Sequence, residues 1–253
     1  MINKKMKHAL AMSGLTAVAA IYIVPRAGSE SNPVNVAMSQ VVPVLVTAEV
    51  TSQPSTVAGA GNWSLPNVDH PSVDSWVRRF TTTGVMKRTL SVWLDRKTKY
   101  DDMITEKLAE RDMPQDLIYL AMIESGFNPR AKSPAAAGGL WQFISETGRR
   151  YGLKVNGRID ERNQPDKATD AALSYLSDLH ERFGSWYLAA AAYNTGENRV
   201  GRIMREVTGS ERGTDQDYYR IAPRLPKETR DYVPKMIAAA RIAKEPAKYG
   251  FDG

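Results

Sequence analysis

From Asp69 onward, apolar residues return at three- and four-residue spacing. That period predicts helices. HPSVDSWVRRF and VMKRTLSVWLDRKTK both follow it, and YDDMITEKLAERD sets Met103, Ile104, Leu108 and Met113 against a polar face. The next helix, about 114–125, differs. Leu117, Ile118, Leu120, Ala121, Met122 and Ile123 leave few polar faces, so it belongs inside the domain. Asp112 suits its N-cap, and Pro114 suits its first turn. The apolar run ends on Glu124, and the following Ser-Gly-Phe-Asn-Pro cannot continue a helix. GLWQFISETGRRYG predicts a further helix stopped by Gly152. Pro165 opens a longer one with a stripe of Ala168, Ala172, Tyr175, Leu176, Leu179 and Phe183. Ser185 caps WYLAAAAYN, which Gly196 ends; ENRVGRIMREV is short, and Pro226 opens KETRDYVPKMIAAARIAK. No strand-type alternation of useful length follows residue 66, so the fold class is mainly α.

The N-terminal pattern is of another kind. MINKKMKH is basic, and residues 9–24 carry no charge before Pro25. Residues 1–27 therefore read as an export signal or an uncleaved membrane anchor, the run being slightly short of the roughly 17–25 residues a spanning helix needs. Residues 28–65 are rich in Ser, Pro, Val, Thr, Ala and Gly and read as a flexible linker. Residues 66–113 are expected to form a helical arm packed on a single domain, 114–253. An exported chain with these properties belongs in the periplasm or cell envelope.

Composition narrows the chemistry. There is no cysteine, which removes disulfides, thiolate nucleophiles and thiolate metal sites. The three histidines, His8, His70 and His180, are far apart and lack zinc-binding spacing. Neither a metal nor an organic cofactor is expected. The net charge is +6, but no compact Lys/Arg block interleaved with aromatics accompanies it, so nucleic acid is not an expected partner.

Glu124 is the first candidate for chemistry. From position alone, a paired structural charge is the commoner outcome. Against that, a negative helix end and apolar surroundings both disfavour the carboxylate anion. A carboxyl held protonated near neutral pH is what a general acid requires. Three further stretches set polar residues among small or apolar ones. KSPAAAGGLWQF carries Ser133, the glycine pair 138–139 and Gln142. AAAAYNTG carries Tyr193 and Asn194. LPKETRDYVPK carries Glu228 and Tyr232 four apart on one helix face. Singly, each has a bland structural explanation: a loop, a helix cap, a first-turn acid.

Taken together and in this order, Glu124-Ser125 with Phe127 and Pro129, Gly139-Leu140-Trp141-Gln142, Ala192–Gly196, and Glu228-Thr229-Arg230 with Tyr232-Val233 resemble the SLT-type catalytic domain of family 1 lytic transglycosylases. AAGGLWQFISETGRRYGL and the 225–250 segment are most like the membrane-bound murein transglycosylase D type. The resemblance is firm over about 114–250 and looser over 66–113. It implies a lysozyme-like domain related to goose-type lysozyme, acting on peptidoglycan glycan strands at the MurNAc-β-1,4-GlcNAc bond. By matched motif positions it implies Glu124 as sole catalytic acid and base. It implies Ser133, Gly139, Gln142, Tyr193, Asn194, Glu228 and Tyr232 as substrate-binding residues. Two alternatives stay open: a hydrolytic muramidase on the same fold, and a wall-binding accessory of an envelope-spanning or secretion assembly. D-type enzymes usually carry a lipidated cysteine and LysM repeats, which are lacking here, so anchoring and wall affinity are expected to differ. Trp141, where many members have methionine, is expected to change the groove's shape.

Overall fold

The computed structural model describes residues 63–251. The export segment and residues 28–62 of the expected linker lie outside the described residues. Ten α-helices follow in order: α1 (Pro71–Thr82), α2 (Gly84–Lys97), α3 (Asp101–Ala109), α4 (Ile118–Ser125), α5 (Ser145–Arg150), α6 (Pro165–Phe183), α7 (Trp186–Thr195), α8 (Glu197–Thr208), α9 (Asp215–Ile221) and α10 (Lys227–Lys244). Among the described residues there is no strand, only isolated bridges such as Lys132 with Gly138 and Gly138 with Phe143. None of these helices is long and apolar enough to cross a membrane.

The core is built around α4, α7 and α10. Every residue of α4 from Ile118 to Ile123 is buried, as the apolar run required. Helix α7 packs against α6, α8, α9 and α10. Ala189, Ala190, Ala191 and Ala192 have no exposed surface; side chains of a single methyl let neighbouring helices approach closely. Helix α10 packs on α1, α4 and α7. Its far end fastens the first described residues. Lys244 pairs with buried Asp116 at 2.6 Å, and the Asp116 carboxylate accepts from Ser64 N at 2.8 Å and Leu65 N at 3.1 Å. Arg241 bonds Asn67 and Asp69. Residues 63–65, placed in the linker by composition, are therefore packed in the fold, with Leu65 buried.

The helical expectations hold for α6, α7, α8 and α10, whose stripes and caps are local. The Ser185 side chain accepts from Leu188 N at 3.2 Å, and all six expected stripe residues of α6 are buried. Two local expectations fail, and one helix was missed. Asp112 does not cap α4: it adopts φ +51 just after α3, while Met113 N returns to Leu108 O. A 3-10 turn, Gln115–Leu117, then leads into α4. The helix expected from GLWQF begins only at Ser145, because Gly139 and Gln142 sit at φ +83 and +50 and residues 131–143 fold into a bridged loop. Helix α9 was not anticipated at all. It starts at a reciprocal cap, Thr214 with Asp217, a signature that was present in the sequence.

Candidate active site

Three chain ends converge on one place: the C-terminal end of α4, the C-terminal end of α7 and the first turns of α10. Glu124 ends the buried face of α4. Gly126 stops that helix at φ +58, its N–H donating to Met122 O. Only glycine fits here, since a Cβ would lie 2.1 Å from the Trp93 ring. Phe127, also at positive φ, is buried and stacks with Tyr100 at 6.4 Å. The turn leaves the Glu124 carboxyl facing α10. There the Tyr232 hydroxyl donates to Glu124 Oε1 at 2.5 Å.

Burial dominates the electrostatics of Glu124 and pushes its pKa up to about 7. The Tyr232 hydrogen bond and the Lys235 cation act in the opposite direction, and the Glu228 charge adds to the rise. Tyr193 and Tyr232 are held well above the usual phenol range, by burial first and the nearby Glu124 charge second. Both remain neutral hydroxyls at any physiological pH.

The remaining expected residues fall into two groups. Tyr193 donates to Trp141 O at 2.8 Å, so α7 holds the 131–143 loop. Asn194 Nδ2 reaches Glu228 Oε1 at 3.5 Å, and Asn194 Oδ1 accepts from Thr229 Oγ1 at 2.7 Å. These bonds join the ends of α7 and α10, so Glu124, Tyr193, Asn194, Glu228 and Tyr232 form one constellation. The loop residues are connected to it through backbone. Ser125 Oγ donates to Leu140 O at 2.8 Å, and Gln142 Nε2 donates to Gly139 O at 2.8 Å and Ala131 O at 3.2 Å. Ser133 closes the 133–137 turn through Ala137 N at 3.1 Å, and its described hydrogen bonds stay within that turn. Gly139 makes its close approach to protein: a Cβ would lie 1.7 Å from Arg162 O. Trp141 does not shape a groove. Its side chain is fully buried and its Nε1 donates to Thr169 on α6 at 3.0 Å.

Two important residues were not among the candidates. Arg162 fills the centre of the loop, donating to Ala136 O at 2.7 Å and Phe143 O at 2.9 Å, and pairs with Asp160 at 2.8 Å. Lys235 lies one turn beyond Tyr232. Its Nζ donates to Ile123 O at 3.2 Å and sits 5.8 and 5.6 Å from the Trp76 and Trp93 ring centres. The spacing Glu228, Tyr232, Lys235 on one face of α10 was the signal for it. Among the described residues no group of His, Asp and Glu is arranged to hold a metal ion.

Residues 102–215 match the transglycosylase SLT domain. Over 156 residues the chain is 41% identical to membrane-bound lytic murein transglycosylase D of Escherichia coli (strain K12), covering 61% of this chain and 34% of that protein. Over 147 residues it is 31% identical to the soluble lytic murein transglycosylase of Salmonella typhimurium, covering 55% of this chain and 22% of that one. The chain thus spans about a third of the length of the first relative. The fold is shared with the 70-kDa soluble lytic transglycosylase solved in complex with bulgecin A, at TM-score 0.50 and 23% identity over 67% of this chain and 28% of that one. The SLT match begins inside α3 and stops before α10, yet α10 carries the tyrosine bonded to Glu124.

Proposed function

We propose that this protein is a peptidoglycan lytic transglycosylase, cleaving the MurNAc-β-1,4-GlcNAc bond and leaving a 1,6-anhydro-MurNAc end. The observation that carries the proposal is the half-buried Glu124 carboxyl. It is held near neutral pKa and oriented by Tyr232 within an SLT domain.

Most glycosidases divide acid and base duties between two carboxylates. Here one group performs both in turn. Protonated Glu124 donates to the glycosidic oxygen as the C1–O4 bond breaks, and GlcNAc leaves with a free 4-hydroxyl. The MurNAc N-acetyl oxygen supports the electron-poor C1, as in substrate-assisted enzymes. Ionised Glu124 then takes the proton of the MurNAc C6 hydroxyl while that oxygen bonds C1. The carboxyl is restored and no water is consumed. A pKa near the working pH suits both halves of this cycle. Tyr232 favours the anion that forms between them. Tyr193, Asn194 and Glu228 line the sugar-binding side, and Ser133, Gly139 and Gln142 shape the loop that borders it. Residues 1–27 export the chain to the periplasm, as a cleaved signal or as an inner-membrane anchor through residues 9–24, where envelope or secretion assemblies are accessible.

Mass spectrometry of digested sacculi tests the reaction. Anhydro ends are about 18 Da lighter than hydrated ends, one water not added. Products that are uniformly hydrated identify a muramidase instead. Intact sacculi, with binding retained, identify a wall-binding accessory.

A further inference from the structure

A cavity of about 340 Å³ opens between α5, α6 and the start of α8, with Tyr175 on its lining next to Tyr193 of the Glu124 constellation. Its walls continue the active-site segments. Helix α5 follows directly from the Gln142 loop, and Glu197, which begins α8, directly follows Asn194-Thr195-Gly196. A row of tyrosines connects the two places: Tyr193 lies 5.2 Å from Tyr175, and Tyr175 lies 4.9 Å from Tyr151, ring centre to ring centre. Roughly three residues of extended chain cover that span.

The lining has both signs of charge on an aromatic floor. The Arg150 guanidinium stands 5.0 Å over Tyr151 and 5.3 Å over Tyr175. It pairs with Glu197 at 3.0 Å, yet its side chain is 52% exposed, so donors remain free to meet a ligand. Arg182 also lines the cavity, but its guanidinium is already held by Glu211, through Nε at 2.9 Å and Nη2 at 3.2 Å. The Tyr151 and Tyr175 hydroxyls donate to Asp178 at 2.8 Å and Glu197 at 2.9 Å, which fixes two carboxylates at the cavity wall. One partly exposed guanidinium beside two carboxylates does not select a polyanion. Together they suit a zwitterion that meets each sign with its opposite, and planar Arg is well matched to a carboxylate. The Arg150 side of the pair with Glu197 is over half exposed, so it can turn part of its guanidinium to a ligand while keeping Glu197.

We propose that this cavity binds the free amino-acid head of the diamino acid in the peptide stem of peptidoglycan, its carboxylate meeting Arg150 and its ammonium meeting Asp178 and Glu197. The inference rests on the glycan-cleaving role assigned to Glu124. A strand seated at Glu124 carries its stem on MurNAc, and the ring-to-ring distances put the cavity about three residues of extended chain from Tyr193. A stem with lysine at that position lacks the second carboxylate and loses the arginine contacts.

Two measurements separate this proposal from the one it rests on. The first is kcat/KM on strands bearing diaminopimelate stems, lysine stems or no stems, for the full chain and for its Arg150→Met and Asp178→Asn forms. The unaltered protein is expected to favour diaminopimelate stems over bare strands by about tenfold, the worth of one charge-assisted contact. Either substitution should bring that ratio close to one. Turnover of all strands at equal rates, or a preference that survives both substitutions, overturns the cavity assignment and leaves the glycan reaction standing. The second is calorimetric titration of free L-Ala-D-isoGlu-diaminopimelate into Glu124→Gln protein, which does not depend on turnover. Binding weakened about tenfold or more by Arg150→Met supports the site. No binding, or binding indifferent to Arg150, overturns it.

Discussion

The Tyr232 hydroxyl donates to Glu124 Oε1 at 2.5 Å across 108 residues of sequence. That bond favours the ionised carboxyl, while burial favours the protonated one. Tyr232→Phe removes only the donor. The basic limb of the kcat/KM profile, set by loss of the Glu124 proton, should then move to higher pH by roughly half a unit to one unit, with a fall in kcat of about tenfold. A pH–rate profile on purified sacculi checks it. An unmoved limb removes Tyr232 from the acid's environment.

Lys235 acts on the same carboxyl through charge. It is caged by Trp76 of α1 and Trp93 of α2 and anchored on Ile123 O. Lys235→Met removes the cation and leaves Glu228, Tyr193 and Tyr232 around Glu124. The basic limb should again move upward, and Lys235→Arg should restore much of the original position. A loss of activity without a change in the pH profile makes Lys235 purely structural.

Glu124 itself should cost the fold stability at neutral pH. Its folded pKa, about 7, lies above the ordinary value of 4.5. The group is neutral and harmless below about pH 4, its cost grows as pH rises from 4.5 to 7, and the cost is constant above that. Glu124→Gln should therefore be more stable than the unaltered protein at pH 8 by about 1–3 kcal/mol and little different at pH 4. Its activity should fall by about 10³-fold or more. Urea unfolding at the two pH values gives the first comparison, and anhydro-product yield gives the second.

Gly126 couples the N-terminal helices to the acid. Gly126→Ala places a methyl on Trp93 at a left-handed backbone position. It should cost about 2–4 kcal/mol, part from the clash and part from the backbone. Trp93→Ala in the same chain relieves the clash alone, so the double variant should be less destabilised than the sum of the two. Thermal melts of the four proteins yield that coupling.

The site was legible in the sequence to unequal degrees. Glu124 stood out because a charge after six apolar residues is locally anomalous. Tyr193 and Asn194 were marked by the alanine run before them and the glycine after. Arg162 was not legible, because nothing in GRIDERNQ distinguishes a buried arginine from a solvated one. Its burial depends on carbonyls of Ala136 and Phe143, more than eighteen residues away. Trp141 was misplaced for a related reason: an aromatic in a glycine-rich loop has no periodicity to indicate which way it faces.

By itself the sequence determined whatever depends on neighbours within a few residues. The period of apolar positions specified α6, α7, α8 and α10; Ser185 and Gly196 specified where α7 begins and ends; Ser-Gly-Phe-Asn-Pro specified that Glu124 ends a helix. Tertiary structure decided what depends on contacts between distant segments. The GLWQF segment is a loop rather than a helix because its bridges, Ser125 and Arg162 satisfy its backbone. Glu124 is an acid of raised pKa because α10 and α7 surround it, with Tyr232 and Lys235 limiting the rise. Burial and charge act through space, and only the packing of α4, α7 and α10 sets those distances.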